Sequence, residues 1–204
     1  YPEGKTEELL ALNNPESPSD GARKIPFSRI IYIDKNDFME HPQEKFYRLA
    51  PGREIRLRYA YFIKCTDVVK DHNGNIIEVR CVYDPETKGG DAADGRKSRV
   101  TLHWVSAAHC IDIEARIYGR LFVKKNPMEF SDGKDFTDNL NPESLVVKKC
   151  KAEPSLQNAK SGERFQFERV GYFVCDPDSK DNMPVFNLTI SLKDEWKKIK
   201  NFFT

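Results

Sequence analysis

The chain has 204 residues, 32% of them charged, 39% hydrophobic and 11% aromatic, with a formal net charge of +1. That length suits one large domain or two small ones, and the apolar content can build a sizeable core. No apolar run approaches the roughly 18 residues a membrane span needs, no charged-then-apolar leader signals secretion, and bulk charge excludes attraction to nucleic acid through net charge alone.

Residues 1–22 read as an N-terminal arm or linker, because NNPESPSDG is rich in turn formers. The first two residues carry no start signal, so a chain cut from something longer is expected. From Arg23 the pattern turns to strands, beginning with the β-branched and aromatic RIIYID at 29–34. PQEKFYRL (42–49) is predicted to be a short helix, with Pro42 in its first turn and Pro51-Gly52 closing it. PGREIRLRYAYFIKC (51–65) then reads as a strand. Ile55, Leu57, Tyr59, Tyr61 and Ile63 alternate onto one face, and Glu54, Arg56, Arg58 and Lys64 onto the other. HNGN (72–75) separates it from IIEVRCVY (76–83), and Asn-Gly between apolar runs predicts a hairpin with a type I′ turn, which needs two residues at positive φ.

DPETKGGDAADGRKS (84–98) is a loop by composition. VTLHWV (100–105) and IEARIYGRLF (113–122) are further strands, and residues 124–144 form a long connection that is a natural domain boundary. LVVKKC (145–150), RFQFERVGYFVC (164–175) and VFNLTI (185–190) are strands again. SLKDEWKKIKNFF (191–203) predicts a helix. Ser191 with Asp194 resembles a capping box, and Leu192, Trp196, Ile199 and Phe203 share one face. Many short strands and few helices predict an all-β protein of antiparallel barrels or sandwiches. The expected division is an arm at 1–22, a first barrel at 23–123 and a second barrel at 124–204 that includes the C-terminal helix. No internal repeat stands out.

Cys65, Cys81, Cys110, Cys150 and Cys175 are odd in number and widely spaced. That pattern predicts thiols in a reducing cytoplasm rather than a disulfide frame or a thiolate zinc site. Asn187-Leu188-Thr189 is a formal glycosylation sequon that a cytoplasmic chain would not use. There is no G-x-S-x-G, P-loop or GxGxxG signature. His103 and His109 are six apart, not the two of a strand or four of a helix that metal ligands favour. Asp84, Asp91 and Asp94 lack the regular spacing of a calcium loop, so a solvated turn is expected there. The residue types alone yield no active site.

Charge is distributed unevenly. Residues 45–64 hold Lys45, Arg48, Arg53, Arg56, Arg58 and Lys64 against one acid, Glu54. A local field acts within about 8 Å at physiological salt, so such a patch matters more than the total. Arginine on a rigid sheet can stack on bases, bond their edges and pair with phosphate. Phe62 shares that face, as a stacking ring or as core. These groups fit single-stranded RNA, and equally an acidic protein partner.

The same stretch, PGREIRLRYAYFIKC, resembles the anticodon-binding region of the glutaminyl-tRNA synthetase family. The likeness continues through DGRK (94–97), HWVSAAH (103–109), RIYGRLF (116–122), NPESLVVKK (141–149), AEPSL (152–156), FQFERVGYF (165–173) and VFNLTISLKDEW (185–196). The resemblance implies two closed six-stranded antiparallel β-barrels of the type found in ribosomal 5S-RNA-binding proteins, with short helices. It implies a parent class I enzyme that ligates glutamine to tRNA(Gln) using ATP with Mg. The family's adenylate site lies in an N-terminal Rossmann domain with HIGH-like and KMSKS-like signatures, and neither occurs here. A cytoplasmic, monomeric C-terminal half is therefore expected, with no catalytic residue, metal or cofactor of its own. Its expected partners are the tRNA(Gln) anticodon loop and the catalytic N-terminal half.

Matched position by position, Arg48 and Arg56 fall where the family uses arginines on anticodon bases. Gln166 and Arg169 fall where a glutamine and an arginine read the central uridine. Arg58 and Lys45 are adjacent candidates, Lys45 standing where bacterial relatives carry glutamine, and Glu16 stands where asparagine is expected. Gln166 and Arg169 have opposite parity, so both reaching one base requires a bulge, a strand end or a twist near 167–168. Three other readings are the equivalent module of an archaeal/eukaryotic-type glutamyl-tRNA synthetase, a non-enzymatic protein-interaction β-barrel, and a metallohydrolase using His103, His109 and Cys110.

Overall fold

The computed structural model describes residues 1–90 and 92–192. Asp91 and most of the predicted helix at 191–203, including Asp194, Trp196, Ile199 and Phe203, lie outside the described residues. The chain gathers into two compact units: Tyr1–Cys110 with Glu153–Ser155, and Ile111–Ala152 with the chain from Leu156 onward.

In the first unit, β1 (Thr6–Leu12) pairs antiparallel with β2 (Ala22–Ser28). About a third of the predicted arm is thus strand, and Leu9 and Ala11 alternate into the core with Ile25 and Phe27. β3 (Ile31–Ile33) pairs with β8 (Trp104–Ser106). A four-stranded sheet runs in the order β6 (Ile76–Asp84), β5 (Phe62–Lys70), β4 (Glu54–Leu57), β7 (Thr101–Leu102), with β4 and β7 parallel. The core between these sheets is aromatic: Phe27 meets Tyr1, Tyr61 and Trp104 at centroid distances of 4.9, 5.3 and 5.0 Å. The Glu7 carboxylate sits at its edge and accepts from Tyr1, Tyr61 and Lys88. Burial would raise this carboxyl, but those hydrogen bonds outweigh burial and lower it.

The second unit is one five-stranded sheet in the order β10 (Leu145–Ala152), β9 (Ile111–Tyr118), β13 (Val185–Ser191), β12 (Gly171–Cys175), β11 (Arg164–Phe167). β13 and β9 run parallel. Ile113, Ala115, Phe173, Cys175 and Phe186 form its core, and Phe167 stacks on Phe173 at 4.3 Å. β9 takes all its ladder partners, β10 and β13, from this unit.

The protein is mainly β, and its only helical pieces among the described residues are 3-10 turns of three to five residues. No helix among them is long and apolar enough to cross a membrane. The hydrogen-bonded ladders are open: no described sheet closes on itself, and two strand pairs are parallel rather than antiparallel.

Three local expectations are corrected. Residues 42–49 are a turn, not a helix, because Leu49 spends its backbone groups on residues 37–39: its N–H donates to Asp37 O and its carbonyl accepts from Met39. The HNGN connection is a hairpin, but Gly74 alone has positive φ, so the turn is not type I′. Instead the Asp71 carboxylate accepts from the Asn75 side-chain amide and from the N–H groups of Asn75 and Asn73, which together lower its pKa. Finally, 51–65 is not one strand but two. The chain reverses at Tyr59, with Leu57 N–H donating to Tyr61 O and Ala60 N–H to Leu57 O. Cross-strand partners share a face, so a hairpin pairing Ile55 with Ile63 keeps the odd residues together just as a straight strand would.

Candidate nucleic-acid interface

Lys45, Arg48, Arg56 and Arg58 all belong to the first unit, and Gln166 and Arg169 to the second. Lys45 is exposed in the 42–49 turn. Arg48 is half-buried. Its Nη1 donates to Asn36 O at 2.9 Å and lies 3.3 Å from the carboxylate of Asp37, which is only 3% exposed. A buried carboxylate needs such a partner, and the pairing fixes the guanidinium in place. Arg53, part of the same basic run, has a different task. Its Nη1 donates to the carbonyls of Phe46 and Arg48, tying the turn to the start of β4.

Arg56 lies opposite Phe62 in the ladder, with its guanidinium 5.3 Å from that ring. Its Nη1 donates to Gly90 O. Phe62 is 1% exposed, so it is core and not a stacking ring. Arg96 covers the same ring from 5.9 Å while pairing with Glu54, Asp84 and Asp94. A guanidinium therefore fills the place between Asp84 and Asp94. Arg58 is not beside Arg56 on a strand face. It lies in the turn, its guanidinium 5.1 Å from the Tyr59 ring and its carbonyl accepting from Trp104 Nε1 at 2.9 Å.

In the second unit Gln166 is exposed on β11, opposite the exposed Tyr172 on β12. β11 ends at Phe167, and Arg169 occupies the apex of the following turn with φ 66°. The strand end removes the parity conflict between the two residues.

The sequence concealed a correspondence. Residues 51–65 and 161–175 are the same hairpin. Gly52 and Gly162, both at positive φ, donate to Cys65 O and Cys175 O at 2.9 Å in each case. Cys65 and Cys175 are both buried, and their N–H groups return to Arg53 O and Glu163 O. Tyr59 and Arg169 sit at the two apexes and are the two non-glycine residues with positive φ among the described residues. Arg56 and Gln166 thereby hold equivalent positions, each opposite an aromatic ring.

His103 and His109 are held by neighbours in the fold. His103 Nε2 lies 3.5 Å from Glu153, which Arg23 grips through two nitrogens at 2.6 and 2.9 Å. Burial would raise the Glu153 carboxyl, but hydrogen bonds from His103 and Arg23 outweigh it and hold it at about 2. His109 Nδ1 shares a hydrogen bond with the buried Ser106 hydroxyl. Among the described residues no three His, Cys, Asp or Glu side chains converge as a metal site, and the five cysteines form no disulfide.

Two family models match the chain, at residues 1–84 and 101–176, and both describe the anticodon-binding domain of class I tRNA synthetases (E and Q). The glutamine–tRNA ligase of Bradyrhizobium diazoefficiens is 52% identical over 199 residues, covering 97% of this chain and 35% of that protein. The glutamine–tRNA ligases of Rhodopirellula baltica and Clostridium kluyveri are each 50% identical, covering 98% of this chain and 33% and 36% of their own lengths. The chain thus spans about a third of the length of the curated relatives it matches. It belongs to the anticodon-binding region of the glutamine–tRNA ligase family.

Proposed function

We propose that this chain reads the anticodon for an enzyme that joins glutamine to tRNA(Gln). On this reading ATP and magnesium act in a catalytic half outside the chain, and no residue here is catalytic. The chain works as a monomeric cytoplasmic module whose open ladders belong to two barrel-like domains. Arg48, Arg56, Arg58 and Lys45 in the first unit, and Gln166 and Arg169 in the second, meet bases drawn out of the loop. The carrying observation is the shared hairpin, which holds Arg56 and Gln166 at matching places on rigid ladders. Rigid placement matters because a preset donor loses little entropy when it meets a base. A neutral amide suits a base edge and an arginine suits either a base edge or a phosphate.

The test is binding of this chain to anticodon stem-loops that differ only at positions 34 to 36. The glutamine anticodon should bind more tightly than single-base variants by roughly 1–3 kcal/mol per changed base. Preference for a glutamate anticodon would assign the module to a glutamyl enzyme. Equal affinity for all loops would leave only a basic surface and end the base-reading proposal.

A further inference from the structure

We propose that Tyr47, backed by Arg99, is a stacking platform for one unpaired base of the bound RNA. This rests on the RNA-binding reading above and names a contact that it does not include. Tyr47 is 47% exposed although its ring is large and mostly apolar. The Arg99 guanidinium lies 5.4 Å from its centroid. One ring face is thereby engaged by a cation, and a base can stack on the other.

Both members of the pair are held in place by backbone bonds. The carbonyls on either side of Tyr47, those of Phe46 and Arg48, accept from Arg53. Arg99 is flanked by Ser98 and Val100, and the Arg56 N–H donates to Ser98 Oγ at 3.1 Å and Val100 O at 3.3 Å. The Ser98 hydroxyl donates in turn to Val100 O at 2.7 Å. The stack therefore links the turn carrying Lys45 and Arg48 to the strand carrying Arg56. An aromatic ring with two soft torsions, fixed at its base by Arg53 and backed by Arg99, meets a nucleobase at small entropic cost. The surrounding positive charge favours a nucleic acid over an apolar peptide.

The experiment uses anticodon stem-loops carrying 2-aminopurine at successive loop positions, with binding and quenching read together. Tyr47→Phe keeps the ring and should bind within about twofold of the parent. Tyr47→Leu keeps bulk but loses the π face. It should weaken binding about tenfold, leave the salt slope unchanged, and abolish quenching at one loop position. Arg99→Lys should fall between them. Because Tyr47 is exposed, all three should keep the parental thermal midpoint, which is measured alongside. Parental affinity and quenching in Tyr47→Leu overturn this proposal while leaving the anticodon reading intact. Failure of the parent chain to bind any anticodon loop removes both.

Discussion

The two hairpins share a backbone and differ in nearly every side chain. At 51–65 the position after the apex pair is Tyr61, whose ring is buried among Phe27 and Tyr83 and whose hydroxyl donates to Glu7. At 161–175 the same position is Gly171, where an added Cβ would come within 2.5 Å of Ile190 O and 2.6 Å of Leu188 Cδ1. The first hairpin is thus pinned by a side chain, and the second by the close approach of β13. Outward, the difference concerns charge. Arg56 caps a buried Phe62, whereas Gln166 stands beside an exposed Tyr172. One scaffold therefore presents a cation in one unit and a neutral amide in the other, which suits two different bases better than one repeated contact.

The largest expected effects test the pinning. Tyr61→Ala removes a buried ring and one of the donors to Glu7, and should cost the first unit about 3–5 kcal/mol in urea unfolding. Gly171→Ala should cost the second unit about 1–3 kcal/mol through overpacking against Ile190 and Leu188. Tolerance of alanine at 171 would mean that the β12–β13 approach is looser than drawn, and the comparison would lose one arm.

A second contrast is acid sensitivity. The first unit takes in Glu153, whose folded carboxyl sits near 2 against an ordinary 4.5. A depressed carboxylate stabilises fully above its unfolded pKa, and that stability is lost as pH falls through the folded value. The first unit should therefore lose roughly 3 kcal/mol between about pH 4.5 and 2. Glu153→Gln should flatten this limb, and should lower stability at neutral pH by removing the Arg23–Glu153 ion pair. The readout is the unfolding midpoint of both proteins from pH 6 to 2.5. Parallel acid limbs would show that Glu153 is not the group responsible.

Much of this was legible in the sequence, and the gaps have physical causes. Alternation at 51–65 placed Ile55, Leu57, Tyr61 and Ile63 inward as found, although Phe62, of outward parity, is buried as well. It could not reveal the reversals at Tyr59 and Arg169, because antiparallel partners keep the parity of a straight strand. The repeat was invisible because only the glycine and the cysteine are identical between 51–65 and 161–175. Those two residues carry the shared backbone bonds, and everything between them is free to vary. The helix expected at 42–49 failed because its capping signals are local, whereas Asp37 and Met39 compete from outside the segment for Leu49. Arg48, Arg56, Gln166 and Arg169 were singled out by family resemblance. Their structural neighbours Asp37 and Tyr172 emerge only when the fold brings separate segments together.

The charge difference gives a smaller but more specific test. Arg56→Gln makes the first hairpin resemble the second at this position. If Arg56 meets the RNA, log affinity should depend less steeply on log salt, by about one contact's share. Gln166→Ala removes no charge and should leave the salt slope unchanged. It should cost the cognate loop about 1–3 kcal/mol while barely affecting a loop altered at the base it reads. Equal losses on both loops would reduce Gln166 to a nonspecific contact.

The smallest stability change is expected at the apexes, and there its size separates the two hairpins. Tyr59 at φ 59° and Arg169 at φ 66° both hold a conformation that costs L-residues about 1–2 kcal/mol. Glycine relieves that strain but gains chain entropy on unfolding, about 0.4–1 kcal/mol, so the backbone alone predicts a gain of up to about 1.5 kcal/mol. Tyr59 also packs against the first core, so Tyr59→Gly should lose more in packing than it recovers in strain, a net destabilisation. Arg169 is half-buried and brings no apolar ring to a core, so Arg169→Gly gives up the contacts of its guanidinium but no core packing and should destabilise its unit less than Tyr59→Gly does its own. The same variant should nevertheless weaken cognate anticodon binding about tenfold or more, if the guanidinium is there for a base edge. A strained arginine that can be removed with no loss of fold but with loss of RNA is held at the apex for binding. One whose removal destabilises its unit as much as Tyr59→Gly does is held there by the fold.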